Sequence, residues 1–117
     1  MEMGMETAIR RTLTDDGIAV VVVMGEVDFA NADDVSRSIE DAITEWRPRV
    51  VRVDLEDAAF IDSTGLGALI SGYRAATGSD AAFTVVNAGA GFQRVLAVTG
   101  LSELFGLPAT DEAGIAI

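Results

Sequence analysis

A chain of 117 residues, half of them apolar and only 6% aromatic, suits one domain that buries roughly two-thirds of its unfolded surface around Val, Ile, Leu and Ala. Eight basic residues, all arginine, face 19 acidic ones for a net charge of −11, the opposite of the footprint that nucleic-acid phosphates or anionic membrane surfaces select. The chain has no cysteine, histidine or lysine, which removes disulfides, thiolate and imidazole catalysis and the usual ligands of zinc, copper and haem, so no metal and no cofactor are expected.

The first residues, "MEMGMETAIRR", lack a basic start followed by an apolar stretch, and no run approaches the ~20 apolar residues that span a bilayer. A cytoplasmic protein is expected. Residues 8–14, then "DDG", then "IAVVVVM" predict two strands joined by a tight turn, with Asp16-Gly17 supplying positive backbone angles. The second run is apolar at every position from Ile18 to Met24, which suits a central strand covered on both faces. After "GEVDFA", Asn31 is a candidate helix N-cap, with Asp33 and Asp34 placed to complement the helix dipole. Val35, Ile39, Ala42, Ile43 and Trp46 share one face of that helix, and Arg47-Pro48 ends it.

"RVVRVDL" returns to period two, with Val51, Val53 and Leu55 alternating against Arg52 and Asp54. A second helix opens at "DSTGLG" and carries Leu66, Leu69, Ile70 and Tyr73 before Gly78 closes it. "AAFTVVN" is the next strand, and "GFQRVLAVTG" a short helix presenting Phe92, Val95, Leu96 and Val98, with Gly100 as its stop. A short extended piece over 104–107 and a weakly patterned "DEAGIAI" complete the chain. Strands alternating with helices after an opening β-hairpin predict a single α/β domain over 1–117 around a mixed, mostly parallel sheet.

Chemistry concentrates in "IDSTGLG", residues 61–67. Asp62 as N-cap leaves Ile61 and Leu66 at the positions of a hydrophobic staple; a cap at Ser63 would lose that pair. The Ser63 hydroxyl is then free of capping and should project above a strand's C-terminal end, where sites gather in open α/β sheets. Gly65 and Gly67 each cost about 1 kcal/mol relative to Ala in a helix, so either close packing or close approach by another molecule should offset them. A phosphate loop needs a lysine the chain lacks, and Ile70 stands where a dinucleotide fingerprint needs its last glycine. A serine hydrolase would lack its histidine base, and the 19 acids always offer some carboxylate pair, a signal too unspecific to point to an enzyme, so none is expected. A phosphate acceptor needs only the hydroxyl: phosphate on Ser63 would add about −1.5 to −2 charge at a helix N-terminus, beside Asp62. Spacing alone leaves a plain helix start open beside that reading.

"GEVD" at 25–28, "VDLEDAAFIDSTGLGALISGYR" at 53–74 and "FQRVLAVTGLSELFGL" at 92–107 resemble, in order, the STAS domain family, above all the bacterial anti-sigma factor antagonists. The resemblance covers nearly the whole chain. It implies a partner-switching regulator that, unphosphorylated, binds an anti-sigma factor serine kinase and releases a sigma factor; phosphorylation on Ser63 switches binding off, and a PP2C-type phosphatase reverses it. It makes Ser63 the acceptor and places Asp28, Asp62, Thr64, Gly65, Leu66 and Gly67 at the partner surface. Residue by residue, Asp28 also suits the turn before the first helix, Thr64 also suits plain first-turn filling, and the two glycines also suit packing. The last segment, "PATDEAGIAI", is shorter and less periodic than the family's usual final helix. A stressosome-type STAS scaffold or a soluble transport-accessory STAS subunit is the alternative, and a large native assembly would favour the scaffold.

Overall fold

Two strands and a tight turn begin the fold. The computed structural model describes residues 8–106. Strand β1 (Ala8–Leu13) runs antiparallel to β2 (Ile18–Val27), pairing Leu13 with Ala19 and Ala8 with Met24. Only Gly17 of the connecting turn adopts a positive φ, 85°; Asp16 does not, which corrects the expected Asp-Gly pair of left-handed residues. The Gly17 N–H donates to the Thr14 carbonyl, so an ordinary turn followed by one left-handed glycine closes the hairpin.

From β2 the chain forms α1 (Ala32–Trp46), β3 (Val50–Asp54), β4 (Ala58–Ile61), α2 (Ser63–Gly78), β5 (Ala82–Val86) and α3 (Ala90–Val98). The sheet order is β1-β2-β3-β5, parallel except for β1. Strand β4 was missed in the sequence. It pairs in parallel with β2 over Gly25–Val27, beyond the last residue that β3 pairs, because β2 is ten residues long and β3 only five. Four residues of "AAFI" carry too little pattern to announce a strand; the long edge of β2 recruits them.

Ala19, Val21 and Val23 of β2, Val51 and Val53 of β3, and Phe83 and Val85 of β5 are buried on the helix-covered face. Ile39 and Val35 of α1 and Leu69 and Ala76 of α2 meet them in one core, joined by Leu96 of α3. Trp46 ends the apolar stripe of α1 half-buried, with the Arg11 guanidinium 5.1 Å above its ring. The expectation that β2 is covered on both faces is corrected. Val20 and Val22 are only half-buried, because their cross-strand neighbours on that face are Thr12 and Arg10 on one side and Arg52 and Asp54 on the other.

Gly78 is the last residue of α2, as expected, and the left-handed residue follows at Asp80, φ 64°. Two further expectations shift. Val95 and Val98 are exposed while Leu96 is fully buried, so α3 buries a narrower stripe than the spacing suggests. Residues 102–106 form turns rather than an extended piece, and bring Phe105, fully buried, against Phe83 and Tyr73. Leu107 and "DEAGIAI" lie outside the described residues. Gly100 does stop α3, with φ 78°.

Candidate functional site

Parallel strands β2 and β4 end side by side, with Val27 opposite Ile61, and the Asp62 N–H donates to the Val27 carbonyl at 3.1 Å. Asp28 and Asp62 therefore leave the sheet at the same edge, and each opens the approach to a helix.

Asp62 is the N-cap of α2. Its Oδ1 accepts from the backbone N–H groups of Thr64 at 2.9 Å and Gly65 at 3.0 Å and from the Thr64 hydroxyl at 2.6 Å. The Thr64 hydroxyl first, then the Gly65 N–H, hold the Asp62 carboxyl below its ordinary titration range. Ser63, the first helical residue, is exposed and takes no part in the cap. The Thr64 hydroxyl, by contrast, is committed to Asp62.

The two glycines stand in different surroundings. A methyl at Gly65 would stand 2.7 Å from Ile61 Cγ2 and 2.8 Å from Val27 Cγ1, so this glycine lets α2 sit directly on the β2–β4 edge. At Gly67 a methyl would meet nothing within 4 Å. Leu66, half-buried, turns towards the core. Gly72, not singled out in the sequence, is a second packing glycine: its methyl would stand 2.8 Å from Ile39 Cδ1.

A groove of about 520 Å³ separates the first turns of α1 and α2. Phe29 and Asp33 line it from one side, and Ser63, Thr64, Gly67 and Ser71 from the other. Of the residues selected in the sequence, the groove thus gathers Ser63, Thr64 and Gly67, while Gly65 and Leu66 point into the molecule. The Asp28 side chain faces its own turn, its Oδ1 accepting from the Ala30 N–H at 3.0 Å.

Asn31 departs from expectation, since it begins α1 without a side-chain capping bond. Its side chain reaches back instead: Oδ1 accepts from the Asp28 N–H at 2.9 Å and Nδ2 donates to the Glu26 carbonyl at 2.8 Å. Both bonds are unavailable to a side chain turned forward onto the helix. Phe29, 82% exposed, was overlooked because an isolated ring in a connecting segment carries no periodic signal. Its position between two Asx-type turn residues, Asp28 and Asn31, is the signal that could have found it. Among the described residues no helix is long and apolar enough to cross a membrane.

Known proteins match this arrangement along most of its length. An anti-sigma-B factor antagonist of Staphylococcus aureus is 29% identical over 96 residues, covering 80% of this chain and 85% of that protein. An anti-sigma F factor antagonist of Paenibacillus polymyxa is 25% identical over 88 residues, 75% of each chain. The crystal structure of an anti-sigma factor antagonist from Mycobacterium paratuberculosis superposes with a TM-score of 0.77 at 27% identity, covering 96% of this chain and 93% of that one. The STAS domain model matches residues 10–113, and with the hairpin, the parallel strands and the capped "DSTGLG" helix in place, the chain belongs to the STAS domain family.

Proposed function

We propose that this chain, as one domain over 1–117, is a cytoplasmic anti-sigma factor antagonist without catalytic activity of its own. Its unphosphorylated form binds an anti-sigma factor serine kinase and so releases a sigma factor. Phosphate on Ser63 switches the binding off, and a PP2C-type phosphatase restores it.

One observation carries this reading: an exposed hydroxyl on the first helical residue, left out of the cap and placed in an open groove. Because Asp62 makes the cap, modification of Ser63 leaves the bonds that start α2 intact. The helix N-terminus tolerates the added anion in water, while a partner packed over Ser63 would have to strip the water from about −1.5 to −2 of new charge and make room for the phosphate. The fold survives and the interface does not. The matched relatives, named as antagonists of anti-sigma factors, support the same partner class.

The test is intact mass with peptide mapping after incubation with ATP and purified anti-sigma kinases. A single phosphate on Ser63, absent from Ser63→Ala, is expected. Ser63→Ala should bind the kinase persistently, and Ser63→Asp should bind at least tenfold more weakly. Equal binding by both variants would refute the switch.

A further inference from the structure

Phe29 is the largest apolar side chain among the described residues that the fold leaves in solvent, at 82% exposure, whereas Phe83 and Phe105 are buried. Its backbone is not loose. The Asp28 carbonyl accepts from the N–H groups of Asn31 and Ala32, the Asp28 carboxylate holds the Ala30 N–H, and the buried Asn31 amide ties Asp28 N–H to the Glu26 carbonyl. Five hydrogen bonds thus brace the residues on either side of an exposed ring. A ring carried on a braced backbone leaves less of the chain to be ordered when a partner covers it.

The ring stands on the rim of the groove that holds Ser63. The charged residue lining that groove is Asp33, with the Asp62 carboxylate at the same sheet edge. Arg37, the nearest cation along α1, lies 3.7 Å from Asp34. A partner covering Phe29 therefore meets an acidic border.

We infer that Phe29 is the apolar anchor by which this chain docks on its anti-sigma factor, entering a socket bordered by cationic side chains, and that Asp28 and Asn31 are positioning residues that hold it. The inference rests on the proposed antagonist function. It changes the role of Asp28, whose carboxylate supports the turn instead of meeting the partner.

Titration calorimetry of the full chain against each purified anti-sigma factor kinase of the source genome tests this. Phe29→Ala should weaken binding at least 30-fold with the melting temperature unchanged, while Val98→Ala, as exposed but on α3, leaves the affinity as it was. Asp28→Asn keeps an oxygen for the Ala30 N–H and should bind like the wild type, whereas Asp28→Ala loses at least tenfold. Asp33→Arg should weaken binding several-fold at low salt and less at high salt. Phe29→Ala binding within twofold of wild type, while Ser63→Asp still fails to bind, would overturn the anchor and leave the antagonist reading standing. Asp28→Asn failing as badly as Asp28→Ala would overturn the positioning role, and Asp33→Arg without effect would overturn the cationic border. Wild-type chain that binds none of these kinases would overturn both the anchor and the reading beneath it.

Discussion

The two helices that border the Ser63 groove begin in opposite ways. Helix α2 is started by its own side chain, since Asp62 turns forward and takes the N–H groups of Thr64 and Gly65. Helix α1 is started by the loop before it: the Asp28 carbonyl takes the N–H groups of Asn31 and Ala32, and the Asn31 side chain turns backward. Asp and Asn rank alike as caps, so the difference is not one of propensity. What decides it is burial. Asn31 is 7% exposed, and its amide is taken by two backbone groups, one at the end of β2 and one in the turn after it, instead of by the solvent-facing helix start. One start leaves a serine free; the other presents a phenylalanine.

Breaking the α1 side should have the larger effect. Asn31→Ala removes two side-chain hydrogen bonds, to the Asp28 N–H and the Glu26 carbonyl, from a buried position, and should cost about 1–3 kcal/mol in urea unfolding. A loss below about 0.5 kcal/mol, the range of ordinary surface changes, would show that water replaces the amide without penalty.

The glycines of α2 sharpen the contrast within one helix. Gly65→Ala forces a methyl against two β-branched side chains, an overpacking cost of about 1–3 kcal/mol that outweighs the roughly 1 kcal/mol alanine gains in helix propensity. Gly67→Ala meets nothing and should stabilise by up to about 1 kcal/mol. Opposite signs in thermal unfolding are expected. If Gly67→Ala also weakens kinase binding, approach by the partner accounts for that glycine; unchanged binding would leave it unexplained by docking.

The smallest effect concerns acid. The Asp62 carboxyl titrates below its ordinary range when folded, so its contribution is complete above about pH 4 and is lost as pH falls through the depressed folded value. Asp62→Ala should therefore lower the melting temperature at pH 7, and the gap to the wild type should close on acidification. A gap that widens below pH 4 would contradict the cap's role.

Much of this was legible in the residues because it is local. The hairpin, the α1 stripe of Val35, Ile39, Ala42 and Ile43, the Asp62 cap and the Gly100 stop each follow from neighbours within a few positions. "DSTGLG" likewise announced both the helix start and its spare serine. Strand β4, the backward turn of Asn31, the different surroundings of Gly65 and Gly67 and the exposure of Phe29 were not legible. Each depends on a residue distant in sequence: β4 on the overhang of β2, Gly65 on Val27, and the groove on two helices thirty residues apart.

By itself, then, the sequence determined the order of the strands and helices other than β4, the acidic character of the chain and the position of one uncommitted hydroxyl, because periodicity, charge and capping act along the chain. Tertiary structure decided which glycine faces the sheet and which faces the groove, and set Phe29 beside Ser63, because close packing is settled only when the edges of β2 and β4 meet α2 in space.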